Sequence, residues 1–431
     1  MKLSERGLRF RVAITCGLAL MPGVAPAGNG LNDIGYGAES SGMGGADLAV
    51  SRDTSALNLN PAGMTQIKTQ RFDIDVEPFY YVGNRHGDQY GNNEKVSNPF
   101  SVIASGGYVR PNADGRIVAG IGFFVQGGVG FSYENLNTAF GSQDDISAAF
   151  GSFKIEPGIA WKASERLSIG TSFGLTYSMA REKFFPDTSF ADPNGEAGFF
   201  GFRADGMAGW STNGKLGLQY RLGEQWVLAA AYTSKTPLKL KGGDATFNYD
   251  AIGQGRVVYR NASLAGLAIA QEAGVGISFK PSESWLLAAD VNWVDWSSSM
   301  KTSTLLASNP DNPNVPQNLM LASALDWRDQ YVVAAGAAYK LDGDTTIRFG
   351  YNYGRNPVPK DTTNPLFAVT TDRAYAVGFT QELAKSWEFS ASAYYEPPVK
   401  VTYTNTQAPF GVDAHNRWEA IVMQWVLSHR W

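Results

Sequence analysis

Cysteine is nearly absent: Cys16 is the only one in 431 residues. One thiol closes no intrachain disulfide, so a disulfide-stapled scaffold is excluded. With only three histidines beside it, the chain lacks the Cys/His set that holds structural zinc, and no metal or cofactor is expected. A basic excess is missing too. Thirty-six Lys and Arg stand against 40 Asp and Glu, a formal net charge of −4, whereas nucleic-acid binders ordinarily carry a positive balance. Charged residues make up only 18%. An enzyme reading lacks a nucleophile–base pair: His86, His415 and His429 stand at no recognisable spacing from a serine in a motif such as G-x-S-x-G. What the chain has instead is glycine, 48 residues, and 13% aromatics. That composition points to an all-β protein with many turns, although length alone suggests about three ordinary domains.

Residues 1–27 read as a cleaved signal peptide. Lys2, Arg6, Arg9 and Arg11 form a basic start, Val12 to Leu20 a short apolar core, and Ala25-Pro26-Ala27 a small-x-small cleavage site. The core is too short for a transmembrane helix, which needs about 20 apolar residues. A lipid anchor on Cys16 would leave almost no apolar core ahead of it. Cleavage removes four basic and one acidic side chain, so the net charge moves from −4 to −7, and the mature chain has no cysteine. Downstream there is no apolar run of about 18 residues, so a membrane location requires a closed barrel, the other structure that satisfies its backbone in lipid.

Alternation of apolar and polar residues recurs along the rest of the chain. In Phe72-Asp73-Ile74-Asp75-Val76-Glu77 the two classes strictly alternate. From Leu167 to Ser178 one face is apolar and the other is Ser, Thr and Gly. Such stretches are strands with two unlike faces. Fourteen are predicted, near 69–82, 98–110, 117–131, 153–162, 167–184, 206–222, 226–235, 273–280, 285–297, 331–340, 345–353, 374–383, 386–396 and 418–431. Their connections alternate between short turns and long loops, the long ones at 83–97, 132–152, 185–205, 236–272, 298–330, 354–373 and 397–417. An even strand number with all long loops at one end is the pattern of an outer-membrane barrel. Asn112-Ala113-Asp114-Gly115 and Leu341-Asp342-Gly343-Asp344 read as hairpin turns rather than calcium loops, which need more oxygen ligands. Trp161, Trp226, Trp285, Trp293, Trp296, Tyr331, Trp387, Tyr394, Tyr395 and Trp418 fall near strand ends, as interfacial girdles do. The chain ends Ile421 to Trp431 in an aromatic strand, with His429 where a further apolar residue is usual.

Residues 28–68 do not alternate. A barrel of fourteen strands encloses more space than wall side chains fill, and Leu48, Val50, Leu57, Leu59 and Met64 give this segment something to pack. The expected organisation is a 28–68 plug inside a 69–431 barrel. Gly42-Met43-Gly44-Gly45-Ala46, Asp53 and Asn60-Pro61-Ala62-Gly63 resemble the hatch of the FadL family of outer-membrane transport proteins. Pro157 to Gly170, Asp290 with Trp296, and Arg348-Phe349-Gly350-Tyr351 followed by Asn356-Pro357-Val358-Pro359 are similar to later segments of that family, so the resemblance spans the mature chain.

The resemblance implies a fourteen-stranded antiparallel barrel with an N-terminal hatch in the bacterial outer membrane. It implies passive uptake of long-chain fatty acids or aromatic hydrocarbons. It assigns capture of the hydrophobic cargo to Phe184, Phe185, Phe190, Phe199, Phe200 and Phe202 in the third long loop and to Leu264, Leu267 and Ile269 in the fourth. Release is expected sideways at a kink in the third strand, at Gly127, Gly128 and Gly130, with Asn60-Pro61-Ala62 beside it and movement of Gly28–Asn32 opening the path. Glycine in a strand weakens pairing and marks bends. Lys215, Arg221 and Arg348 fall on predicted lumen faces, where a fatty-acid carboxylate would want a cation. Expected partners are the cargo, outer-membrane lipid with lipopolysaccharide, and the barrel-insertion machinery, which would read the C-terminal strand. The barrel is expected to be monomeric. A general diffusion porin and a structural or adhesin barrel are the competing readings.

Overall fold

The structure, a computed structural model, describes residues 28–192, 198–367 and 369–431. The signal peptide expected at 1–27 lies outside the described residues. Fourteen antiparallel strands form the wall. They are β1 (Arg71–Tyr81), β2 (Phe100–Pro111), β3 (Ile117–Asn137), β4 (Gln143–Lys162), β5 (Leu167–Ala191), β6 (Gly198–Leu222), β7 (Trp226–Thr233), β8 (Glu272–Phe279), β9 (Trp285–Val294), β10 (Gln330–Lys340), β11 (Thr345–Gly354), β12 (Arg373–Ala384), β13 (Trp387–Tyr403) and β14 (Ala414–Arg430). Each pairs with the next, and β1 closes on β14, from Arg71 opposite Arg430 to Tyr81 opposite Ala420. Closure gives every wall strand a neighbour on both sides, the condition for crossing lipid with strands.

The direction of the faces decides the environment. On β1, Asp73, Asp75 and Glu77 are buried while Phe72 and Ile74 are exposed. On β5, Ile169, Phe173 and Leu175 point out, and Gly170, Ser172, Gly174 and Thr176 point in. Carboxylates inside and phenyl rings outside invert the soluble arrangement and match a barrel whose solvent on the outside is hydrocarbon. Trp161, Trp226, Trp285, Trp387 and Trp431 are exposed near the short-turn end, and His429 packs edge-on between Trp387 and Trp431 at 4.5 and 4.3 Å. Trp296, Tyr394 and Trp418 depart from the predicted girdle: they are almost fully buried in the interior. Tyr394, in the middle of β13, and Trp418 of β14 are turned inward by alternation, and Trp296 opens the short helix Trp296–Ser299 that follows β9. The Asp342 turn is held by its own carboxylate, which accepts from Asp344 N at 2.9 Å and Thr345 N at 2.7 Å.

Four of the long loops, 132–152, 185–205, 236–272 and 298–330, differ from the prediction in being largely strand where described. β3 to β6 rise well beyond their alternating cores, so 132–152 and 185–205 are mostly paired. Four further strands, Leu240–Asn248, Arg256–Ile269, Met300–Pro310 and Asn318–Ala324, extend a sheet outward from the upper part of β6. Their backbone groups still need partners beyond the membrane. Bulges at Leu240/Gly243 and Ala265/Leu267 break the alternation that would have revealed them.

Candidate transport site

Residues 28–68 lie within the lumen, and the wall facing them is shaped for close approach of backbone. After Tyr36 a short helix, α1 (Gly37–Gly42), is followed by Gly44 and Gly45, both at positive φ. A Cβ on Gly350 of β11 would lie 2.2 Å from Gly44 N, and one on Gly336 of β10 2.6 Å from Met43 O. Opposite, Asp290 Oδ2 on β9 accepts from the backbone of Asp47 at 2.6 Å and Leu48 at 2.8 Å. Ser41 Oγ donates to Gln424 Oε1 on β14 at 2.7 Å, and Asn352 Nδ2 to Gly44 O at 2.9 Å.

The Asn60-Pro61-Ala62-Gly63 turn is built on the same principle. Asn60 Nδ2 donates to Leu48 O at 2.8 Å and to Leu218 O on β6 at 3.2 Å, while its Oδ1 accepts from Ala62 N at 3.2 Å. Pro61 begins the short 3-10 turn, where a missing N–H costs nothing. Gly170 of β5 and Gly217 of β6 make room: added Cβ atoms would lie 2.3 Å from Ala62 N and 2.0 Å from Asn60 Oδ1. Gly63 sits as close to the hatch itself, where a Cβ would come 2.0 Å from Ser51 O. This turn was expected beside the third-strand kink. Its polar contacts are with Leu48 and β6, and it also lies against part of β3; the residue against Gly127 is Leu31, whose carbonyl would be 2.5 Å from a Cβ there.

Of the three glycines assigned to that kink, Gly127 has φ +84, and the pairing of β3 with β4 slips between Val125 and Gly128. Gly128 and Gly130 resume regular pairing opposite Gly151 and Ala149. On the other side, among the described residues, β2 and β3 pair only from Pro111–Val118 to Gly106–Phe123. Above that the ladder between them stops, although Val125 N of β3 still donates to Ser105 Oγ of β2 at 3.4 Å. The strands rejoin where Ser97 N donates to Ser132 O at 2.8 Å and Asn98 Nδ2 to Gly130 O at 3.2 Å. At the unpaired stretch β3 leans to the hatch, with Gln126 Nε2 donating to Tyr36 Oη at 2.9 Å.

The proposed carboxylate partners fall in three different places. Lys215 is buried, but its Nζ donates to the Asn58 carbonyl and, at 3.3 Å, to Leu59 O. Arg348 is buried, donating to Thr380 Oγ1 at 2.6 Å and to Glu39 of α1 at 3.3 Å. Arg221 is exposed at the short-turn rim. Two further cations escaped the sequence reading. Lys154 pairs with Glu156 at 2.7 Å and reaches Asn58 Oδ1 at 2.5 Å, and Arg71 pairs with Asp73 at 2.9 Å and Glu388 at 3.1 Å. Beside Lys215, a cavity of about 80 Å³ is lined by Asn32, Leu48, Gln126, Ile269 and Glu272.

Two hatch carboxyls respond to these surroundings in opposite directions. Burial pushes Glu39 up, but the Arg52 and Arg348 guanidiniums outweigh it and hold the group at about 2. Burial and the Asp73 charge raise Asp53 to about 6, against the pull of Arg71 and a hydrogen bond from Ser55.

Toward the long-loop end the interior becomes aromatic. Phe190 is exposed and stacks on Phe140 at 5.4 Å; Phe140 stacks on Phe199 at 4.7 Å. Phe199 touches Phe184 and Phe185 at 6.3 and 6.2 Å, and both reach Phe410 at 5.9 and 6.1 Å. Phe410 meets His86 at 5.0 Å, and the buried cluster continues through Tyr133, Phe131, Tyr81 and Trp418. Phe202 stacks on Phe247 at 5.3 Å and Phe200 meets Tyr249 at a tilt at 4.7 Å, while Leu264 and Leu267 are buried in the same cluster. The assigned capture residues are thus brought together. Phe140 and Phe410, which link them to the surface and to the interior, gave no local signal in the sequence. Phe185 has φ 44, rare for a bulky side chain, and its carbonyl occupies the place where a Cβ on Gly201 would stand.

A lipid-facing closed barrel, a plug from its own N terminus and an aromatic interior at one end define an outer-membrane channel for apolar molecules. Residues 23–421 match the family described as outer membrane protein transport protein (OMPP1/FadL/TodX), and the chain belongs to that family. It is a transport channel of the outer membrane, not an enzyme. No curated protein matches its sequence. Solved structures with a similar fold include the Pseudomonas putida toluene transporter TodX (19% identity, TM-score 0.74, covering 93% of this chain and 99% of that one). The Ralstonia pickettii toluene transporter TbuX is similar too (19%, 0.73, 92% and 99%). So is a Pseudomonas aeruginosa FadL homologue (16%, 0.70, 93% and 99%).

Proposed function

We propose that this protein admits neutral apolar molecules, aromatic hydrocarbons foremost, and releases them sideways into the membrane. The observation that carries this reading is the unbroken run of aromatic contacts from exposed Phe190 through Phe140, Phe199, Phe184, Phe185 and Phe410 into the buried cluster. Aromatic rings offer apolar area and edge-to-face contacts to a neutral ring. An anionic cargo finds less, because Lys215 and Arg348 are engaged by the hatch and Arg221 stands at the rim. The break in the β2–β3 ladder supports a lateral exit: it faces Phe100, Val102 and Phe123 on the outer surface, and Leu31 and Gln126 stand behind it.

The same proposal takes the cargo from the lipopolysaccharide leaflet. It has the barrel inserted by way of β14, whose Met423, Trp425 and Leu427 face outward, and acting as a monomer. Uptake of labelled toluene and labelled oleate in cells expressing the chain, against vector controls in a host without such a channel, tests it. Toluene uptake should rise several-fold and oleate uptake little; a gain for oleate alone would overturn the neutral-cargo reading.

A further inference from the structure

We propose that the interior carboxylates around Glu396 are the receptor for the α-ammonium group that cleavage after Ala27 creates at Gly28, so that signal-peptide removal completes the seating of the hatch. Gly28 is buried, and its backbone lies against Glu396: a Cβ there would be 2.8 Å from Glu396 Oε1. Glu396, on β13, is fully buried. Its Oε2 accepts from Trp418 Nε1 at 2.6 Å, and its Oε1 has no donor.

The neighbouring acids are in the same condition. Asp33 Oδ1 of the hatch and Asp75 Oδ1 and Glu77 Oε1 of β1 are buried without donors, although the second oxygen of Glu77 accepts from Gln424 Nε2 at 2.7 Å. The groups facing this cluster are Tyr36 from the hatch, Tyr81 from β1, Tyr394 from β13, and Trp418 and Gln424 from β14. None of them is a cation. Among the described residues the ion pairs of hatch and lumen, Arg52–Glu39, Arg71–Asp73, Arg71–Glu388, Lys154–Glu156, Arg348–Glu39 and Arg430–Glu388, all involve other carboxylates. Burial, Asp75 and Glu396 together push Asp33 well above the usual carboxylate range.

Without a cation such buried carboxyls keep their protons; an ammonium lets one of them ionise and brings one positive charge and three donors to oxygens that lack them. Before cleavage the Gly28 nitrogen is a neutral amide with a single N–H. Afterwards it is a cation held in place by its own chain. The position also bears on the exit, because Leu31, three residues on, backs Gly127 where β3 breaks its pairing. Pinning Gly28 therefore holds the arm that closes the gap. The inference does not depend on which cargo is carried.

The test uses the purified mature protein in detergent. Intact mass gives the first residue. Acylation of the α-amine is then timed between pH 6 and 9 in the native protein, in the same protein after denaturation, and in Glu396→Gln, with Glu165→Gln as an exposed control. The native amine should react at least tenfold more slowly than the denatured one, and Glu396→Gln should recover threefold or more of that rate while Glu165→Gln changes nothing. If Glu396→Gln loses the heat-modifiable gel shift of a folded barrel, Asp33→Asn and Glu77→Gln serve in its place, with the same acceleration expected. A mature chain that begins elsewhere than Gly28, a native amine as reactive as the denatured one, or folded variants that leave its rate unchanged would overturn the proposal.

Discussion

Asn60 shows how a single side chain holds the hatch. It uses both donor and acceptor atoms, to Leu48, Leu218 and Ala62, in a fully buried place. Asn60→Ala leaves two carbonyls and an N–H with fewer partners, at a cost of about 1–3 kcal/mol. The expected result is a hatch that trypsin cuts faster at Arg52 and Lys68 while the barrel keeps its heat-modifiable gel shift. Gly350→Val should act more severely, because the new Cβ meets backbone at Gly44 rather than a movable side chain. At the cargo end, Phe199→Ala removes the ring that joins Phe140 to Phe184 and Phe185. Toluene uptake should fall several-fold with folding intact.

The two hatch carboxyls make docking depend on pH in opposite senses. Glu39 is held below its ordinary 4.5, at about 2. Its contribution is present above pH 4.5 and lost as pH falls toward 2. Asp53 is raised from 3.8 to about 6. Its docked form keeps the proton longer, so stability present in acid is lost as pH rises through that interval. Glu39→Gln should abolish the first loss and Asp53→Asn the second, read as hydrogen-exchange protection of residues 37–58 across pH 2–7.

At the scale of elements, β3 carries the most specific device. Two residues, Gln126 and Gly127, bulge from its pairing with β4, and β2 loses it at the same level. They stand opposite the single residue Ser152, so deleting Gly127 alone should let β3 pair continuously with β4 and cut toluene uptake about tenfold without changing folding yield. Legibility in the sequence followed the physics of each element. The cores of β1, β5, β11 and β13 were plain because one face meets lipid and the other a polar lumen, which forces strict alternation. The upper strands were read as loops because outside the membrane no such constraint applies. Glycine composition announced a bend in β3, but not which residue adopts positive φ; that is set by the approach of Leu31.

For the whole molecule, the lumen is filled rather than open. Hatch, wall carboxylates and aromatic cluster leave a cavity of about 80 Å³ beside Lys215 and another of about 320 Å³ toward the short turns, lined by Glu39, Arg52, Arg71 and Arg348, both walled in part by the hatch. Intact protein in planar bilayers should therefore show little steady conductance. Removal of residues 28–68 should produce large, stable openings, and a large conductance in the intact chain would favour a porin.

The sequence by itself determined the wall: how many strands, which face of each meets lipid, which end carries the long connections, and that the N-terminal segment belongs to none of them. These are local properties, written in residue period and turn chemistry. Tertiary structure alone decided what the lumen does. Lys215 and Arg348 became anchors for the hatch, Trp296 and Trp418 interior packing, and the Asn-Pro-Ala turn a neighbour of β4, β5 and β6 as well as of β3. Those roles depend on which inward-facing residues meet across a closed barrel, hundreds of residues apart in the chain, and alternation says that a side chain faces in but not what it will find there.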